Sequence, residues 1–277
     1  TATGGSGTGG ARSGSAQAFS SATGTSGLSQ ARATTGSFIE GNYVSVNARA
    51  VLAGNAPGGV IATSRSEAGT NEGESVADRT QLEGLQAGAF ATLLPSAADA
   101  VTLLVGNTSV EVAMLNKQAL ATGLLGGSFS ENGSATTGQL YTSSADFNID
   151  MTDKVNTDLL VGLLDPVAVG DHGFDSLRVR LNIEGQQTTD LTFTDLLTAE
   201  AFLDDNALNF GLWADLISSD NVLDIEIILD ITEQHLGEGF STNFIVGGGV
   251  SAVPVPGAVW LFGSGLLGLL VAARRRR

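Results

Sequence analysis

The sequence predicts an all-β protein: an antiparallel β-sandwich, jelly-roll or Ig-like, with one or two short helices and a C-terminal transmembrane helix. Two observations point there: several segments alternate apolar and polar residues with period two, and loops rich in Gly, Asp and Asn separate them. One apolar and one polar face marks antiparallel sheet with a wet side. Several such strands with turn residues between them make a sandwich. The lack of cysteine in the 277-residue chain excludes disulfides, thiolate zinc sites and cysteine nucleophiles together. Stability must then come from an ordinary core, which about 200 ordered residues suffice to build.

Residues 1–35 are mostly Gly, Ser, Thr and Ala, with Phe19 and Leu28 as the large apolar exceptions. Such a segment buries too little surface to offset its ordering entropy, so it is expected to be a flexible arm. Its glycines are not a phosphate loop, since no strand precedes them and no helix follows. The acidic sandwich body is expected over residues 36–250. Val44, Val46, Ala48 and Ala50 alternate with Ser45, Asn47 and Arg49, and Ala145, Phe147, Ile149 and Met151 with Asp146, Asn148 and Asp150. The clearest run sets Leu177, Val179, Leu181 and Ile183 against Arg178, Arg180, Asn182 and Glu184. Ile225, Ile227, Leu229 and Ile231 repeat it against Asp224, Glu226 and Asp230, with Ile228 out of phase. Leu191 with Phe193, and Thr242 with Phe244 and Val246, are shorter members. The acids Asp224, Glu226 and Asp230 suggest an edge strand blunted by charge. A helix is expected over Thr194–Leu203, capped by Thr194. A second is expected where Leu82, Leu85, Ala89 and Leu93 keep helical spacing ahead of Pro95, weakened by Gly84 and Gly88.

Residues 251–277 form the third part. Val253-Pro254-Val255-Pro256 leads into Trp260-Leu261-Phe262-Gly263 and a glycine-rich apolar run, and Arg274, Arg275, Arg276 and Arg277 end the sequence. Gly257 to Ala273 carries no charge and would run roughly 26 Å as a helix at about 1.5 Å per residue. That is at the short limit for a bilayer core of about 30 Å. The arginines favour the cytoplasmic side, which places the preceding residues across the membrane.

These features in this order resemble the PEP-CTERM sorting signal of Gram-negative bacteria, in a Val-Pro-x-Pro variant with Val255 where the family has Glu. The resemblance implies recognition by exosortase, a membrane-embedded cysteine protease or transpeptidase, and display at the cell surface or in the extracellular matrix. Leu177 to Gly249 is also similar to a recurring module of such surface proteins, through Ala199–Asp205, the acidic strand 223–232 and the Gly-Glu-Gly-Phe turn at 237–240. Sorting of this kind requires export, so a signal peptide ahead of Thr1 is expected to have been removed or omitted.

The sequence has 29 Asp and Glu and 13 Lys and Arg, four of the latter being the terminal arginines, so the part before Pro254 carries about −20. Such a surface repels copies of itself at long range and argues against nucleic acid or anionic lipid as a partner. The two histidines, His172 in Gly170-Asp171-His172-Gly173 and His235 beyond a strand, lie in no nucleophile motif and read as solvated loop residues. Trp213, Tyr43 and Tyr141 are a thin supply for stacking on sugars. Calcium is the cation the loops suit, because Asp, Asn and Gly supply hard oxygen ligands. Asp204, Asp205 and Asn206 are its expected ligands, ahead of Asp165, Asp171 and Asp175 and of Asp220, Asn221 and Asp224, although such residues also simply make turns. No catalytic residue is expected. The sequence therefore predicts an exported, non-enzymatic structural protein that self-associates through sheet edges. The alternative is a calcium-dependent exopolysaccharide-binding adhesin, ahead of a secreted hydrolase.

Overall fold

The computed structural model describes residues 2–3, 16–39, 42–68, 86–129 and 139–251. The expected sorting motif, apolar run and arginine cluster after residue 251 lie outside them. Among the described residues no helix is long and apolar enough to cross a membrane.

Two seven-stranded sheets make the body. In chain order the strands are β1 (Ala2–Thr3), β2 (Ala16–Gly24), β3 (Leu28–Ile39), β4 (Asn42–Ala53), β5 (Ala56–Ala68) and β6 (Gly88–Leu93). Helices α1 (Ala97–Leu104) and α2 (Thr108–Ala113) follow, then β7 (Gln118–Ser128), β8 (Gln139–Asp150), β9 (Lys154–Val155), β10 (Asp158–Val169), β11 (Ser176–Ile183) and β12 (Gln186–Phe193). Helix α3 (Leu196–Leu203) leads to β13 (Asn206–Leu212), β14 (Val222–Glu233), β15 (Gly239–Gly248) and β16 (Val250–Ser251). The first sheet has the order β1-β3-β4-β8-β14-β11-β12 and the second β13-β10-β15-β7-β6-β5-β2, while β16 pairs with β9. Only β1–β3 and β5–β6 are parallel among the described pairs.

The alternating sequences become the first sheet because each puts one apolar face inward. Val44, Val46, Ala48 and Ala50 of β4, Ala145, Phe147 and Ile149 of β8, and Leu177, Val179, Leu181 and Ile183 of β11 are all buried. Ile225, Ile227, Leu229 and Ile231 of β14 continue that layer. The second sheet closes over it, and Phe147 meets Phe244 of β15 edge-on, ring centroids 5.9 Å apart. Phe174 and Phe240 make a similar contact at 5.4 Å. Such aromatic pairs add to the burial of their large apolar surfaces.

Strand β15 is buried along its whole length. Its inner face supplies Phe240, Phe244 and Val246 to the main core. Ile245, on the other face, joins Leu160 and Leu164 of β10 and Ala100, Leu103, Val110 and Met114 of α1 and α2 in a second, smaller core. Helix α1 starts at a capping box, in which Asp99 N–H donates to Ser96 Oγ at 3.0 Å and Ser96 N–H to Asp99 Oδ2 at 3.3 Å. Glycine lets the helices lie close to the sheet. A Cβ at Gly162 would fall 2.5 Å from Val110 Cγ1 and 2.8 Å from Ile245 Cγ2, and one at Gly247 would overlap Met114 Sδ.

Four expectations need correction. The body begins well before residue 36, since β2 and most of β3 fall inside the expected arm. Small side chains suffice there: Ala16, Ala18, Ala31, Ala33, Thr35 and Ser37 are buried, and Ser37 Oγ donates to Ser66 O at 3.1 Å. The helix expected through Ala89 and Leu93 is strand β6, whose small residues pair with β5 and β7, while Leu82 and Leu85 lie outside the described residues. The helix after Thr194 is capped by Asp195, which accepts from Thr198 N–H at 2.9 Å. The acidic strand β14 is not an edge; it lies between β8 and β11, and its acids meet cross-strand partners. Replacing Gly162→Ala should overpack the second core and lower unfolding stability by about 1–3 kcal/mol, measured by urea denaturation against the parent chain.

Candidate functional site

The first sheet has a polar outer face and ends on one side at β12. β12 leaves β11 through a turn with Glu184 and Gly185 at positive φ, and it ends where Asp195 caps α3. Among its residues only Thr189 and Phe193 are partly covered; the other six are exposed. Its single charge, Asp190, is met by Arg178 across the strand pair, with Nε and Nη2 donating to the two carboxylate oxygens at 2.7 and 2.6 Å. Those bonds hold the Asp190 carboxyl below its ordinary range. The strand therefore presents an outer sheet edge whose one charge is paired, an arrangement open to pairing with another strand.

Further into the sheet the polar side chains form cross-strand pairs. Arg180 Nη2 donates to Asp230 Oδ2 at 2.5 Å, and Thr142 Oγ1 to Asp230 Oδ1 at 2.7 Å. Asn182 Nδ2 donates to Glu226 Oε2 at 2.7 Å. Asp146 stands directly opposite Glu226 in register, with Asp224 nearby and Ser45 Oγ donating to Asp146 Oδ2 at 3.3 Å. Burial first, then the charges of Asp224 and Glu226, push the Asp146 carboxyl up to about 6.

The structure separates the residues expected to bind calcium by their roles. Asp205, at positive φ, accepts from the Ser109 and Val110 backbone N–H groups, both at 2.8 Å, and so satisfies the first turn of α2. Burial opposes its ionisation, yet those donors hold its carboxyl below the ordinary range. Asn206 Nδ2 donates to Phe202 O at 2.9 Å, and Asp204 is exposed at the end of α3. Asp220 is spent on its own turn, accepting from Ser218 Oγ and Val222 N–H. Asp165 accepts from Asn107 Nδ2 at 3.0 Å. Asp205, Asn206, Asp220 and Asp165 thus hold caps and turns in place.

Sequence reasoning kept the two histidines apart, but the fold stacks them. The rings of His172 and His235 lie 5.2 Å apart and nearly parallel, at 13°. Glu238 fixes the first loop: its carboxylate accepts from the backbone N–H of Gly173 at 2.7 Å, His172 at 2.9 Å and Asp171 at 3.1 Å. Burial alone would raise the Glu238 carboxyl, and the three donors outweigh it and hold it low. Loops far apart in sequence meet here, so spacing carried no signal. Of the aromatic residues considered for sugar stacking, Trp213 and Tyr141 are buried, and Trp213 Nε1 donates to Val155 O at 3.1 Å. Helices α1 and α2 leave Val101, Val105, Val112 and Leu115 exposed, and a cleft of about 430 Å³ lies between α1 and the segment after α2.

Asp146 yields a pH test. Its pKa of about 6 in the folded chain exceeds the ordinary 3.8, so the folded state binds the extra proton between those values. That contribution to stability is complete below about pH 4 and is lost as pH rises through 6. Asp146→Asn should flatten this fall and leave the variant about 1–2 kcal/mol more stable than the parent at pH 8. Urea unfolding of both chains from pH 4 to pH 8 measures the difference.

No family model matches the sequence, and no curated protein matches it. Among solved structures, a carbohydrate-binding module specific for non-crystalline cellulose aligns at 15% identity and TM-score 0.23, covering 47% of this chain and 77% of that one. A second, a β-sandwich carbohydrate-binding module described as promiscuous in specificity, aligns at 8% identity and TM-score 0.18, covering 85% and 96%. Likenesses of this size carry no argument about ligand.

Proposed function

We propose that the protein is an exported, non-catalytic structural component of the cell surface or extracellular matrix of a Gram-negative bacterium. Delivery rests on its C-terminal sorting segment as an exosortase substrate, and assembly on addition of strands between copies at β12. The observation that carries the second part is the state of that strand. It is eight residues long, lies last in its sheet, contains neither Pro nor Gly, and has its one carboxylate paired with Arg178.

Charge supports the same reading. Acidic bodies repel one another, so copies can approach closely only where the local charge is cancelled. β12 is such a place, and main-chain hydrogen bonds supply the affinity in strand addition. The sorting tail concentrates copies at one membrane before release, which favours weak edge contacts through high local concentration. A glycan-binding role draws less support, because Trp213 and Tyr141 are taken into the core.

The test is Gln187→Glu, which adds a charge to the exposed edge strand opposite the neutral Asn182, with Ser219→Glu as a control of equal charge in an exposed turn. Light scattering over a concentration series should show the parent and the control assembling. The β12 variant should need about tenfold more protein, a cost of about 1.4 kcal/mol per contact. A parent chain that stays monomeric throughout, or a β12 variant that assembles like the control, contradicts the proposal.

A further inference from the structure

A buried carboxylate with one unpartnered oxygen stands at the loop end of the first sheet. β14 ends at Glu233 and β11 is entered from Asp175, and the two are held side by side because Asp175 N–H donates to Thr232 O at 2.9 Å. The Glu233 side chain is completely buried, at 0% exposure. Its Oε1 accepts from the backbone N–H groups of Gln234 at 2.7 Å and His235 at 2.6 Å, and lies 2.7 Å from His235 Nδ1. Its Oε2 is buried with no hydrogen-bond partner, and so is Asp175 Oδ2. Asp175 Oδ1 lies 3.8 Å from the same His235 Nδ1. Two carboxylates thus converge on one imidazole, each with an oxygen that gains nothing from its surroundings.

An unmatched buried oxygen is costly, and a buried charge more so unless it is paired or binds a metal. One ligand atom from each of Asp175, Glu233 and His235 lies within 4.8 Å of the other two. We propose that these three residues bind a first-row divalent metal ion, with zinc as its type. Bonds of 2.0–2.2 Å in tetrahedral geometry put ligand atoms about 3.3 Å apart, so rotamer adjustments of about 1 Å close the set. One imidazole and two carboxylates suit zinc and its neighbours, whereas calcium requires six to eight oxygens. The ion takes the place of the proton on His235 Nδ1, with Glu233 Oε2 the oxygen free to meet it, and the neutral imidazole then carries its proton on Nε2. Backbone donors already fix Glu233 Oε1, so that carboxylate is oriented in advance.

Three protein ligands leave a fourth position open. His172, 65% exposed and stacked on His235, is the nearest further imidazole, and the Glu238 nest holds its loop in place. The site differs from the Asp204–Asn206 turn, where Asp205 serves α2. It is also independent of strand addition at β12, so either can fail without the other.

The test is calorimetric titration of zinc chloride into the full chain after chelator treatment, with calcium chloride in parallel and cobalt(II) as a spectroscopic probe. One zinc per chain is expected, bound more tightly than calcium, and cobalt should give the intense visible absorption of a four-coordinate ion. His235→Ala, at a side chain 57% exposed, and the near-isosteric Asp175→Asn should each weaken zinc by at least about tenfold and remove the cobalt band. Far-ultraviolet circular dichroism checks that both variants keep the parent fold. Absence of saturable one-to-one uptake overturns the proposal, as does uptake unchanged in both variants or calcium binding as tight as zinc.

Discussion

Burial of β15 on both faces is the constraint on which the rest of the structure depends. A strand with that much apolar surface cannot face water on either side, so its sheet must be covered twice. The first sheet covers one face through Phe147 and the isoleucines of β14. Helices α1 and α2 cover the other through Leu103, Val110 and Met114. Gly162 and Gly247 are where that second cover comes closest to the backbone. Asp205, held after α3, reaches across to the start of α2, so the helical cover is tied to the segment between α3 and β13.

Once the inner faces are sealed, the acidic composition must be accommodated outside. The structure does this by pairing. Arg178 takes Asp190, Arg180 and Thr142 share Asp230, and Asn182 takes Glu226. Asp146 is the group left among like charges, which explains why its carboxyl is pushed up. The same economy neutralises β12, and the proposed contact between copies rests on this combination of open backbone and cancelled charge. At the loop end, Glu233 and Asp175 each keep a buried oxygen without a hydrogen-bond partner.

Much of the fold was legible because alternation reports burial directly. Val44 to Ala50, Leu177 to Ile183 and Ile225 to Ile231 lie in strands with the inward residues read from the sequence. The N-terminal strands were not legible, because Ala, Ser and Thr carry little apolar signal, and their fit depends on close neighbours such as Ser37 and Ser66. Helix α1 had a signal in Ser96 and Asp99, a capping box directly after Pro95. The position of β14 was misread because acids on an outer face look alike at an edge and beside a partnered strand. His172 and His235 could not be joined from spacing, since their contact is made by two separate loops.

Amide hydrogen exchange on the full chain, compared between dilute and concentrated samples, tests strand addition most directly. In the dilute sample, amides of Phe240–Val246 in the covered strand should exchange slowest, and those of residues 186–193 should be among the fastest in the sheets. In the assembled sample the 186–193 amides should slow markedly while the interior strands stay unchanged. Equal exchange of 186–193 in both samples, with protection arising on another strand, would contradict assembly through β12.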